Sequence, residues 1–162
     1  MKSRGEILTT LSELDIPYEI VEHQAVYTVD EVVQLGLMEV GLVCKNLFLR
    51  DAKGKSHYLI VLSPDKKADL KNIQLNLGST KLGFASEERL QSFLGLKKGA
   101  VTPLGIINDE NHSVTVVFDQ DLLGKEKLGV HPEDNTATVW ISFDSLRKYI
   151  SHFGNEIRYI EI

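Results

Sequence analysis

The run Val43-Cys44-Lys45-Asn46-Leu47-Phe48-Leu49-Arg50-Asp51, the turn Ala52-Lys53-Gly54-Lys55 and the run Tyr58-Leu59-Ile60-Val61-Leu62 constrain this chain more than any other stretch. Two strand-like segments around a Lys-Gly turn read as a β-hairpin. Its second half is apolar throughout, as in a buried strand. Lys45 and Asn46 interrupt the apolar pattern at the hairpin entrance, where alternation would hide one of the two side chains. A cation and an amide at the mouth of a buried strand suggest a site, although a Lys beside an Asn also reads as a strand entrance facing solvent.

The 162 residues fit one domain, taken as 1–162, and can bury a single core without staples. Hydrophobic residues make up 43% and charged residues 25%, ordinary globular values, and no apolar run approaches the ~18 residues of a membrane span. No membrane partner is expected. The start Met1-Lys2-Ser3-Arg4-Gly5-Glu6 lacks the apolar core of a secretory signal, and the single Cys44 cannot form an internal disulfide. Both point to the cytoplasm. In its apolar setting Cys44 reads as a small buried hydrophobe rather than a reactive thiol.

A net charge of -5 argues against nucleic acid at first sight. Its distribution is uneven: residues 43–100 hold eleven Lys or Arg against five Asp or Glu, and the rest of the chain holds 7 against 18. A basic middle between acidic flanks leaves room for an anionic partner on one side of the molecule.

Ser3-Arg4-Gly5-Glu6 has capping-box spacing, with Ile7, Leu8, Leu11 and Leu14 following at helical intervals. Tyr18–Glu22 alternates as a strand, and Thr28-Val29-Asp30-Glu31 opens a short helix to Gly36. After the hairpin, the segment from Ser63-Pro64-Asp65 to Gly78 reads as a helix, although Ile73, Leu75 and Leu77 also alternate. Lys81–Ala85 is extended, Ser86 caps a helix to Gly95, and Leu96–Gly105 is a shaped loop. A strand at Val114–Phe118, a helical turn or loop at Asp119–Gly124, a strand at Thr136–Ile141, a helix at Ser142–Phe153 and a strand at Ile157–Ile160 complete the chain. Irregular alternation, two hairpins and no Rossmann glycine spacing predict an α+β fold with a mixed, mostly antiparallel sheet covered by helices.

His131 stands before Pro132, which biases its backbone to an extended form and fixes the imidazole's direction. A lone His is often structural, yet this one has a pKa suited to proton transfer or to clamping an amine. The loop Gly99 to Gly105 permits close backbone approach to a ligand, or is simply a connection. The five histidines show no metal-ligand spacing with Cys44 or carboxylates, so no metal and no cofactor are expected.

Together, Lys45-Asn46-Leu47-Phe48-Leu49-Arg50-Asp51, Leu82-Gly83-Phe84-Ala85-Ser86, Gly99-Ala100-Val101-Thr102-Pro103-Leu104-Gly105, Asn108-Asp109 and His131 through Thr138 resemble the freestanding prolyl-tRNA editing proteins of the YbaK/ProX superfamily. Within it the chain looks most like the branch that deacylates alanine mischarged onto proline tRNA. The stretch Glu22–Glu31 is similar too, with Gln24-Ala25 where the family often has prolines. The resemblance covers nearly the whole chain in the family's order.

It implies a YbaK/ProX-like fold and hydrolysis of an aminoacyl ester on the terminal adenosine of tRNA(Pro) charged with a small amino acid, with prolyl-tRNA synthetase as a further partner. Lys45 and Asn46 match the family's Lys-Asn pair and His131 its His-Pro motif. The implied roles are Lys45 at the nucleotide or ester, Asn46 at the amino acid, and His131 at the substrate amine or the attacking water. The substrate's own ribose hydroxyl is another candidate for positioning that water. Substrate contacts are expected from Ile20, Gly99, Val101, Thr102, Pro103, Gly105 and Asn135, and phosphate contacts from Lys66, Lys67, Lys71, Lys97 and Lys98. Alternatives are the same reaction on Cys- or Ser-tRNA(Pro), and a non-catalytic module that binds aminoacyl-tRNA or a synthetase.

Overall fold

The computed structural model describes residues 2–162. Helix α1 (Arg4–Glu13) begins with the expected capping box: the Ser3 hydroxyl accepts from the Glu6 N–H, and the Glu6 carboxylate accepts from the Ser3 N–H. Ile7 and Leu11, one turn apart, turn inward and are fully buried. Strand β1 (Glu19–Glu22) follows, then α2 (Val29–Gln34), whose cap Thr28 accepts from the Glu31 N–H. Gly36, at φ 73°, lets the chain turn at once into a single further turn of helix, α3 (Leu37–Val40), which is too short for a hydrophobic period to announce.

The hairpin is present as β3 (Lys45–Arg50) and β4 (His57–Leu62), registered from Lys45 opposite Leu62 to Arg50 opposite His57. The Asp51 carboxylate closes the turn by accepting from the N–H groups of Lys55 and Ser56. With β5 (Gly83–Phe84), β6 (Val114–Asp119) and β9 (Ile157–Ile160) they form a five-stranded sheet in the order β5-β3-β4-β6-β9. β4 lies at its centre, antiparallel to β3 and parallel to β6. Leu59, Ile60, Val61 and Leu62 are all fully buried, so both faces of β4 are covered, which is why its sequence does not alternate.

A second sheet, in the order β1-β8-β7-β2, is built from β2 (Leu42–Val43), β7 (Leu128–Val130) and β8 (Ala137–Ile141) together with β1. The single expected sheet is therefore two. Antiparallel pairs (β1-β8, β7-β8, β3-β4, β3-β5) outnumber parallel ones (β2-β7, β4-β6, β6-β9), as anticipated. The chain leaves one sheet and enters the other at Cys44, the only residue between β2 and β3. The Cys44 N–H still donates to the Gly129 carbonyl of the second sheet at 2.9 Å.

Two further expectations change. Helix α4 (Leu70–Leu77) starts well after Ser63, because the Asp69 carboxylate caps it by accepting from the Lys71 and Asn72 N–H groups; residues 63–68 remain a loop. The second half of the Leu96–Gly105 loop is regular: Pro103–Asn108 forms a 3-10 helix whose cap is the buried Thr102 hydroxyl. Helix α5 (Glu87–Leu94) ends, as predicted, at Gly95 (φ 65°), and α6 (Phe143–Phe153), with the expected last residue, ends at Gly154 (φ 83°). The main core packs α1, α5, α6 and the 3-10 helix against the inner sheet faces; a second cluster lies under α4, and a third joins α2 and α3 to Trp140.

Candidate functional site

The crossing at Cys44 leaves an opening between the sheets, and the first polar residue of β3 stands in it. Lys45 lines a cavity of about 120 Å³ together with His131 and Gly99. Its apolar walls are Val26, Val29 and Val32 from α2 and the segment before it, Met38 from α3, and Val43. Tyr27, Thr28, Cys44 and Pro64 complete the lining.

Lys45 Nζ donates to the Lys66 main-chain carbonyl at 3.5 Å, a long bond that leaves the ammonium's other protons available. That carbonyl is fixed by the Lys66 side chain, whose Nζ sits 3.0 and 2.9 Å from the two carboxylate oxygens of the fully buried Asp119 and also reaches Asp121. Burial works to lower the Lys66 pKa, but the hydrogen bonds to Asp121 and Asp119 outweigh it and hold the pKa above its ordinary value. Lys66 is thus engaged inside the protein rather than presented to an outside anion; Lys67, Lys71, Lys97 and Lys98 are exposed.

His131 follows β7, and its Nδ1 lies 3.1 Å from the Ala137 carbonyl oxygen. A carbonyl only accepts, so Nδ1 carries the proton and the neutral ring keeps its lone pair at Nε2. Burial lowers the His131 pKa, more than the Ala137 hydrogen bond raises it, and nearby His23 lowers it further. At neutral pH the imidazole is uncharged. The Cys44 thiol, pushed up to about 12 by burial and then by Asp119, stays protonated and is no nucleophile.

The loop carrying His131 is tied to α1. Arg4 donates to both carboxylate oxygens of Asp134 at 3.2 and 3.0 Å and pairs with Glu22 at 2.6 Å, while the Arg4 N–H donates to Glu133 at 2.8 Å. From the same loop, Asn135 Nδ2 donates to the Val26 carbonyl at 2.8 Å, and the Val26 N–H donates to the Asn135 carbonyl at 3.3 Å. Asn135 therefore clamps the cavity wall without lining the cavity. Gly99 has φ +88°, and a Cβ there would stand 3.0 Å from Tyr27 Cδ1, so its missing side chain lets the Tyr27 ring close over the loop.

The remaining expected contacts are distributed elsewhere. Ile20 packs on the main core from β1, opposite Val139, outside the cavity lining. Thr102, Pro103 and Gly105 are buried. A Cβ on Gly105 would meet Leu96 Cδ1 at 2.8 Å, so that glycine serves packing. Asn46 and Val101 line a neighbouring groove with Phe84 and Lys98. Sequence reasoning missed Pro64 and Met38 as lining residues. The hairpin register gives a signal for the first, since Leu62 opposite Lys45 brings Pro64 near the crossing; α3 is too short to give one for the second. Among the described residues no cluster of three or more His, Cys, Asp or Glu is placed to hold a metal ion, and no helix is long and apolar enough to cross a membrane.

The chain is similar to known proteins. The chain is 48% identical over 162 residues to the prolyl-tRNA editing protein ProX of Acetoanaerobium sticklandii, covering 100% of this chain and 99% of that one. It is 33% identical over 157 residues to the mouse (Mus musculus) prolyl-tRNA synthetase associated domain-containing protein 1, covering 94% and 92%. The fold matches, at TM-score 0.74 and 22% identity over 100% and 99% of the two chains, a solved protein whose assignment as a trans-editing enzyme for prolyl-tRNA synthetase is itself provisional. Residues 23–149, which carry Lys45, Gly99 and His131, match the aminoacyl-tRNA editing domain, and the chain belongs to that family.

Proposed function

We propose that this chain is a trans-editing hydrolase that removes alanine from mischarged Ala-tRNA(Pro), with residues 1–162 acting as one editing domain. The reading rests on the convergence of Lys45, His131 and Gly99 on one small cavity. At about 120 Å³ the cavity is well below the ~300–1,000 Å³ of ordinary ligand pockets. That size suits a small amino acid, and rejection of proline, the second sieve a proofreading enzyme needs, then rests on the shape of the walls rather than on volume alone. Its valine and methionine walls can bury a methyl group, which suits alanine.

An aminoacyl ester is already activated, so placing water and stabilising the oxyanion suffices. Water adds to the ester carbonyl; the tetrahedral oxyanion collapses, and the ribose oxygen leaves with the proton that the water gave up. Lys45 faces the oxyanion, and one such donor is worth ~2.7–4 kcal/mol. Neutral His131 accepts from the substrate's α-ammonium through Nε2 and so orients the amino acid. The neighbouring ribose hydroxyl positions the water, and no side chain need change its protonation state. The reaction takes place in the cytoplasm beside prolyl-tRNA synthetase, which supplies the mischarged tRNA.

Deacylation of tRNA(Pro) charged in turn with alanine, cysteine, serine and proline tests the reading. Alanine should leave fastest and proline should stay; efficient release of proline overturns it. Lys45→Ala should lower kcat ~10²–10³-fold while tRNA binding persists. Hydrolysis that survives while binding falls would assign Lys45 to docking instead.

A further inference from the structure

Lys45 and Asn46 are neighbours in β3 and therefore point to opposite sides of the strand. Lys45 lines the cavity; Asn46 lines a separate groove of about 480 Å³ between β3, β5 and the start of α5. The loop from α5 divides in the same way, with Gly99 on the cavity side and Lys98 and Val101 on the groove side. The two depressions thus share one ridge, formed by residues 45–46 and 98–101.

The groove has the chemistry of a base-binding site. Phe84, on the two-residue edge strand β5, is 63% exposed, an unusual position for a phenyl ring with no packing duty. Phe48, on the same side of β3 as Asn46, and Val101 give an apolar floor. The Asn46 Oδ1 atom is buried and has no hydrogen-bond partner, and its Nδ2 makes only a 3.4 Å bond to the Cys44 carbonyl. Rotation of this loosely held amide toward the groove would satisfy the orphaned oxygen, letting it bond bidentately to an adenine edge by accepting from the exocyclic amine and donating to a ring nitrogen. Glu87 on the groove wall disfavours a phosphate inside it, whereas exposed Lys98 at the rim suits the phosphate of the same nucleotide.

We infer that this groove holds the adenine of the terminal nucleotide while the cavity holds the amino acid, an inference that rests on the deacylase reading. A ribose carries the base and the ester on one ring. Seated on the shared ridge, it projects the ester toward Lys45 and the base onto Phe84 and Asn46. Asn46 then belongs to the nucleoside side of the scissile ester rather than to the amino acid.

Two measurements test this with the whole chain. In deacylation of Ala-tRNA(Pro), Phe84→Ala should raise KM about 5- to 100-fold, the range of one lost base stack, with a much smaller effect on kcat. Phe84→Trp should restore it. Removing the terminal base from the substrate should raise KM for the unaltered protein by a similar factor and add little for Phe84→Ala. An unchanged KM in Phe84→Ala, or equal further losses in both proteins on the base-free substrate, overturns the inference. Separately, titrating a deacylated CCA-ended oligonucleotide should shift the backbone amide resonances of Phe84 and Asn46. Hydrolysis without that shift removes the groove and leaves the deacylase standing. The shift without hydrolysis removes the deacylase and leaves the groove.

Discussion

Replacing Lys66 by Met would remove the ammonium while keeping most of the length and apolar stem of the side chain. The change leaves the fully buried Asp119 carboxylate without its cation, and breaking such a pair from one side usually costs ~3–5 kcal/mol. Two features of the site reduce the cost. The Lys66 side chain is 22% exposed, so water can follow it in, and Asp119 still accepts from the Asp121 N–H at 3.0 Å and the Ser63 N–H at 3.4 Å. We expect a loss of ~2–3 kcal/mol, about 4–12 °C in Tm for a chain of this length. Urea unfolding of Lys66→Met, Asp119→Asn and the double variant measures it, because the double variant no longer leaves one charge unpaired. Its cost should fall below the sum of the single costs by at least ~1 kcal/mol. Deacylation should fall as well, since the Lys66 carbonyl is the hydrogen-bond partner of Lys45. A Lys66→Met cost under ~0.5 kcal/mol, with additive single variants, would refute the claim that this ion pair holds the loop under Lys45.

Stability should fall on acidification in two stages, read as Tm against pH. Burial lowers the pKa of both His57 and His131 from 6.5, assisted at His57 by Arg89, so the unfolded chain takes up protons first and stability is lost as pH falls through about 6.5 toward their lower folded values. Asp134 then contributes. Burial opposes the shift, but Thr136 and Arg4 lower it from 3.8 to about 2, so stability present above about 4 is lost as pH falls through about 2. His57→Gln should flatten the first stage; an unchanged profile would count against the assignment. Gly129→Ala should cost ~1–3 kcal/mol, because the added Cβ would lie 2.8 Å from Trp140 Cζ3 and 3.0 Å from Thr138 Cγ2. Trp140 is the chain's single tryptophan, so a shift in its emission would report the displacement alongside the lower Tm.

Local sequence signals were legible wherever one short-range interaction decides the structure. Ser3, Thr28, Ser86 and Ser142 all cap the helices whose starts they mark, and Gly78, Gly95 and Gly154 all end them in left-handed geometry. What stayed hidden depends on long-range pairing. β2 and β7 have two and three residues, too few for a period, and they exist because Leu42 pairs with Leu128 and Val43 with Gly129. Without that pairing the run from Leu42 through Leu49 reads as one strand and the two sheets as one. The same gap explains the site. Strand alternation already separates Lys45 from Asn46, but local spacing does not say what lies on either side of the strand. The crossing at Cys44 puts the cavity on one side of β3 and the groove on the other, so adjacent side chains face two different depressions. A Lys-Asn pair at a sheet-to-sheet crossing is thereby suited to a ligand with two unlike parts joined at one ring, as an aminoacylated nucleoside is.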